Sequence, residues 1–252
     1  MSKLLLRAFL PAILAAIPGS LFAVDGVVLI DQAHALAGGI TSGDAPGFPI
    51  TISESGSYRL SGNLTVPDAN TTAIEVQVGD VTIDLNGFSI IGPTVCNVLT
   101  SSSCSPAGSG EGIVSHVGKG IKVLNGTVRG MGSNGIDLSV EMNSAEKVNA
   151  HDNGGIGIFV AGTVIDCAAI LNGAVGIAAS LVQNSQALSN GSDGISVSFG
   201  VATGNLSMEN SGHGVVAACP SVLVNNVIGA NGKADLSLSG SNCASANNGI
   251  GF

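Results

Sequence analysis

The chain of 252 residues has no Trp, a single Tyr and seven Phe, and only a tenth of it is charged. So few aromatics argue against a groove that stacks sugar rings on flat side chains, although hydrogen-bonded recognition stays open. Lys and Arg number 8 against 17 Asp and Glu, which leaves no basic stripe for nucleic acid. The same balance argues against gripping a polyanion such as pectate unless cations bridge the two. No apolar run beyond the first two dozen residues is long enough to span a bilayer. No Cys-x-x-Cys or His–Cys cluster marks a metal site, and no cofactor is expected. What is present is 45% apolar residues and 37 Gly. Disordered chains are poor in the first, so the chain has material for a long, thin core of Val, Ile, Leu and Ala.

Residues 1–23 read as a signal peptide. Lys3 and Arg7 precede an apolar run from Ala8 to Ile17, and Ser20-Leu21-Phe22-Ala23 offers a small residue at the cut. Pro11 and Pro18 break the run, so a membrane anchor is disfavoured. Without Lys3 and Arg7 the chain keeps 6 basic against 17 acidic residues, a net −11. A secreted or periplasmic protein is therefore expected, in a compartment where its five cysteines form disulfides where geometry permits. Cys96 and Cys104 flank one insertion and are the favoured pair. Cys219 and Cys243 are a second possible pair, and Cys167 is then the odd thiol, a buried apolar stack member.

From Asn153 to Leu236 the phrase Asn-Gly-x-x-Gly-Ile recurs five times with small variations, beginning at Asn153, Asn172, Asn190, Asn210 and Asn231. Successive copies are 19, 18, 20 and 21 residues apart, a period that suits one turn of a β-solenoid. Five residues after the Asn position runs an apolar column of Ile136, Ile158, Ile177, Ile195, Val215 and Leu236. A second column follows two residues later, which is the period of a strand with one buried face. Five residues before Asn the column reads Val148, Cys167, Ser185, Asn205, Asn226 and Cys243. On this alignment Cys167 and Cys243 share a column but lie four coils apart, roughly 19 Å and out of disulfide reach. Stacked Asn amides are expected to hydrogen-bond along the column, and the Gly after Asn to take a positive φ at a tight corner.

The repeat resembles that of right-handed parallel β-helix proteins of the pectin-lyase-like superfamily. The likeness covers about 73–252, including looser early coils at Val81-Thr82-Ile83-Asp84-Leu85-Asn86-Gly87 and Ile121-Lys122-Val123-Leu124-Asn125-Gly126. It implies an all-β solenoid of about 20-residue coils. Residues 24–72, with a short helix at Asp31 to Leu36 and a strand around Tyr58-Arg59-Leu60, are expected as an N-terminal cap, because a bare solenoid end exposes unpaired backbone. Residues 92–111 read as a loop insertion. The superfamily hosts lyases, hydrolases, epimerases, adhesins and inert scaffolds, so fold alone does not name an activity.

In the enzymes of that superfamily, chemistry lies on the outward face of a long parallel sheet. Here one outward column reads Glu75, Val114, Asp137, Phe159, Ala178, Ser196, Val216 and Ser237. The other reads Gln77, His116, Ser139, Ala161, Ser180, Ser198, Ala218 and Ser239. From Phe159 onward neither column titrates. Glu75, His116 and Asp137 are thus the candidate catalytic residues, an imidazole between carboxylates able to serve as general base or weak metal ligand. Asp193 and His213 should form a surface pair at a turn. The preferred reading is a non-catalytic exported binding or scaffold module whose flat Ser/Ala/Val face meets protein, glycan or a second copy. The alternative is a carbohydrate-active enzyme, a lyase, hydrolase or epimerase, using Glu75, His116 and Asp137.

Overall fold

A computed structural model describes residues 26–97 and 103–251. The expected signal peptide and the middle of the insertion lie outside the described residues. The chain is a solenoid of about nine turns with coils of about 22 residues, nearly all β-strand. Each coil contributes to three parallel sheets. In the first sheet Ile50, Ile74, Ile113, Ile136, Ile158, Ile177, Ile195, Val215 and Leu236 stand in register one above another. All but Leu236 are fully buried. β-Branched side chains stack well at the roughly 4.8 Å spacing of neighbouring strands, and burying each one stabilises the fold by about 1.5–3 kcal/mol.

Polar side chains run through the same interior as a ladder. In Asn153, Asn172, Asn190 and Asn210 the side-chain amide donates to Oδ1 of the next Asn, at 2.9, 3.0, 2.9 and 3.0 Å in turn, ending on Asn231. The same Oδ1 atoms accept from the backbone N–H of the preceding Asn, and each amide also reaches a strand carbonyl. A second column does the same work. Val148 N–H donates to the Cys167 sulfur, Cys167 N–H to Ser185 Oγ, and Ser185 N–H to Asn205 Oδ1. Asn205, Asn226 and Asn248 then continue it amide to amide at 2.9 Å. Cys167 is therefore a hydrogen-bonding rung rather than an apolar filler, and burial lifts its thiol to about 11, which removes it as a nucleophile. The last rung is Asn248 and not Cys243, because Val227 pairs with Gly249 and slips the final coil out of the phase expected from the sequence.

The glycines of the repeat answer to close approach rather than to backbone hand. Positive φ falls one residue before the ladder, at Asp152, Leu171, Ser189, Glu209 and Ala230, with values of 52 to 58°. It does not fall on the Gly after Asn. The Gly before Ile is needed because the next coil's Asn sits against it. A Cβ on Gly157 would stand 2.6 Å from Asn172 Nδ2, and one on Gly176 2.6 Å from Asn190 Nδ2. Motif and ladder are one device: the amide occupies the space the missing side chain leaves.

Residues 26–72 build coils of the solenoid as well as covering its end. Their strands Val27–Ile30, Ile50–Ile52, Gly56–Leu60 and Leu64–Thr65 pair in parallel with one another or with the next coil, so they extend the solenoid itself. Capping is done by side chains on the exposed edge. Gln32, in the short helix Gln32–Ala37, donates to the Thr65 carbonyl and accepts from its N–H. Asp44 accepts from Thr51 N–H at 2.7 Å while Thr41 Oγ1 donates to the Thr51 carbonyl at 2.6 Å. These contacts satisfy strand groups that an open edge would leave unpaired.

Two disulfides are formed. Cys96–Cys104 ties the antiparallel strands Val95–Asn97 and Ser103–Ser105 of the insertion, with a Cα separation of 4.0 Å. That hairpin lies against the turn at Asn153, its Cys96 N–H donating to Asp152 Oδ1. Cys219–Cys243 spans 24 residues and clamps the last coil to the one before. Replacing both Cys219 and Cys243 by Ser is expected to cost about 3 kcal/mol. The loss should appear as faster hydrogen exchange in residues 236–251 with little change at 158–203. Equal protection of the last coil in both proteins would refute this clamp.

Candidate functional site

The strand register puts Glu75, Val114 and Asp137 in one outward column. Glu75 and Asp137 are two strand spacings apart, roughly 10 Å between backbones. His116 lies two residues beyond Val114 on the same face, with Nδ1 2.9 Å from Ser139 Oγ. All three expected residues thus share one face of adjacent coils. Glu75 and His116 line a pocket of about 750 Å³, together with Phe48, Asn70, Thr72, Gln77 and Glu111. Asp137 does not reach the lining; it is buried at 8% exposure beside it.

Two residues of this cluster escaped the sequence reading. Asn134 Nδ2 donates to Glu111 Oε1 at 3.1 Å and to Asp137 Oδ2 at 2.9 Å, holding both carboxyls around one amide. Glu111 and Asn134 each stand two residues before the Ile of their coil, the position that carries Asp193 and His213 further along. The signal was there, but Gly108 and Met131 replace Asn in these coils and hide the phase. Phe48 was missed for a different reason. It comes from the segment taken as a cap, and only the pairing of Ile50–Ile52 with Ile74–Val76 brings it to the face.

Burial raises Asp137 above its ordinary 3.8, opposed by the Asn134 hydrogen bond and by His116. Burial also raises Glu111 above 4.5, and the Asp137 charge raises it further, opposed by His116 and Asn134. Both carboxyls are thus held toward the protonated form, and Glu111 carries the extra push from its neighbour. Asp137 Oδ1 is buried with no hydrogen-bond partner. Among the described residues no Lys or Arg lines the pocket, and no three His, Cys, Asp or Glu side chains are grouped to hold a metal ion.

A carboxyl raised on folding stabilises the protein below its unfolded pKa, and that stability is lost as pH rises through the folded value. Wild type should therefore lose stability relative to the double variant Glu111→Gln/Asp137→Asn as pH climbs from below 3.8 through the raised carboxyl range. The gap should then level off. A difference in melting temperature that is flat with pH would show that these carboxyls are not held protonated.

The remaining outward residues form the plain face expected. Phe159, Ala178, Ser196 and their neighbours line a shallower hollow of about 280 Å³ with no ionisable group. His213 Nδ1 lies 3.0 Å from Asp193 Oδ1, and the same oxygen accepts from His213 N–H at 2.7 Å. That pair pins two turns together, several coils from the pocket, and an ion pair of this exposure contributes about 1 kcal/mol at most.

No family model matches the sequence, and no curated protein does. Among solved structures the chain is similar to the A-module of the Azotobacter vinelandii mannuronan C-5 epimerase AlgE4, at 18% identity and a TM-score of 0.60. The match covers 88% of this chain and 66% of that one. The A-module of mannuronan C-5 epimerase AlgE6 from the same organism is similar at 13% identity and a TM-score of 0.49, over 75% of this chain and 68% of that one. At 18% identity the AlgE4 likeness speaks for architecture alone, and with the register above it establishes that the chain is a right-handed parallel β-helix protein.

Proposed function

We propose that this protein is an exported, carbohydrate-active β-helix protein that cleaves a glycan in the pocket lined by Glu75, Glu111 and His116. The observation that carries the reading is the Glu111–Asn134–Asp137 arrangement, in which burial favours a proton on carboxyls beside a pocket on the outward sheet face. Epimerases that act on glycans share this architecture, which supports the carbohydrate-active reading over a plain scaffold. Two disulfides suit an oxidising compartment.

Glycoside hydrolysis needs one carboxyl to protonate the leaving oxygen and a second carboxylate to act at the sugar. Glu111 lines the pocket and is the proton donor. Asp137, set behind it, positions Asn134 and raises Glu111. Glu75 is the second carboxylate. As the bond from C1 to the glycosidic oxygen breaks, the leaving oxygen takes the Glu111 proton. Water bonds to C1 and gives its proton to Glu75, and solvent exchange resets the pair. Lyase or epimerase chemistry starts beside a uronate carboxylate and calls for a group that neutralises it, and the described lining offers only His116 for that, set among carboxyls.

The test is a screen of the purified protein against neutral and uronate polysaccharides, reading reducing ends, unsaturated products and C5 configuration. New reducing ends that vanish in Glu111→Gln support the reading. If no substrate is altered, the non-catalytic binding or scaffold role, on the Phe159 to Ser239 face, takes its place.

A further inference from the structure

Resting on the glycan-directed reading of the pocket, we infer that its ligand is an uncharged glycan, with a sugar ring seated against Phe48. Four observations converge. The lining holds two carboxyls, Glu75 and Glu111, with a third, Asp137, immediately behind, while His116 is its only basic side chain. A uronate placed there brings its negative charge beside Glu75, with no Lys or Arg in the described lining to offset it, and opposes any ionisation of Glu111 and Asp137. At that range salt screens little, since the Debye length at 0.1 M is about 10 Å. The whole chain adds to the repulsion with a formal charge of −9.

The rest of the lining suits hydroxyl groups. Asn70, Thr71, Thr72 and Gln77 add polar side chains to the lining. Phe48 is half-buried, packed on one side against the core and open to the pocket on the other. It also lines the neighbouring hollow with Leu36 and Pro67, so it stands as a wall between two recesses. An aromatic face against the C–H face of a sugar is the apolar half of such a site. The aromatic poverty of the sequence is thus offset by one Phe placed where the ligand sits.

The experiment uses the full exported chain carrying Glu111→Gln, so that ligand is held rather than turned over. Hexasaccharides of glucose, mannose and xylose are compared with hexamers of mannuronate and galacturonate, by calorimetry and ligand-observed NMR at low and high salt. At least one neutral hexamer is expected to bind, and the uronates not at either salt. Adding Phe48→Leu, which keeps the packing against the core, should weaken that binding about tenfold. The same change at the remote, exposed Phe199 should not. Melting temperature checks that each variant is folded. Tighter binding of a uronate hexamer, or neutral binding indifferent to Phe48→Leu, overturns the inference while leaving a glycan site in place. Binding of no hexamer in either class overturns the inference and the glycan reading together.

Discussion

Glu111→Gln is expected to lower turnover of a neutral glycan by about a hundred- to ten-thousand-fold, the usual contribution of a positioned general acid. The amide keeps the size of the carboxyl and can still meet Asn134, so the fold should hold. Asp137→Asn should act differently, because Asp137 works through its neighbour. A general acid is active while protonated, so activity falls as pH rises through its pKa. Removing the Asp137 charge takes away the second cause that raises Glu111. The alkaline limb of the pH profile should therefore move to lower pH, with a smaller loss at the optimum than Glu111→Gln gives. A merely structural Asp137 would lower activity at all pH values without moving that limb. Retention of more than a tenth of wild-type turnover in Glu111→Gln would remove Glu111 as the proton donor.

The fold was largely legible because one spacing controls it. Apolar residues five and seven positions after each Asn stack in register from Ile136 to Leu236, and periodicity reads such contacts directly. The departures in the first and last coils lie where phase is lost. In the last coil one slip moves the second ladder to Asn248 and frees Cys243 to meet Cys219. In the first coils, strands lack the Asn-Gly phrase and their place in the solenoid shows only in their parallel pairing.

The site was half legible for the same reason. Glu75, His116 and Asp137 are outward residues of recognisable strands. Glu111 and Asn134 sit in turns, where a hydrogen bond between coils 23 residues apart decides their role. Phe48 depends on a loop that sequence periodicity does not describe. The aromatic count suggested no sugar platform, but a count cannot say where a single ring is placed.

Asn190→Ala should destabilise the protein by on the order of 5 kcal/mol, a large share of the 5–15 kcal/mol that holds most folded domains together. Asn190 is fully buried at the middle of the ladder. Its Oδ1 accepts from both the backbone N–H and the side-chain amide of Asn172, and its own amide donates to Ala169 O and Asn210 Oδ1. Truncation leaves two donors on Asn172 and the Ala169 carbonyl short of partners in a fully buried interior. Each such loss costs about 1–3 kcal/mol. Asn190→Asp should be no milder near neutral pH, since it sets a carboxylate against the oxygens of Ala169 and Asn210. Burial raises that carboxyl above its unfolded value, so the Asp variant should regain stability as pH falls. At the far end of the second ladder the half-buried Asn248 makes the same kinds of bonds. Water can replace them there, so Asn248→Ala should cost about 1 kcal/mol. Chemical denaturation followed by circular dichroism measures all three, and hydrogen exchange shows where the solenoid opens first. If Asn190→Ala and Asn248→Ala cost the same, the buried amides are not what holds the coils in register, and the apolar column alone must do it.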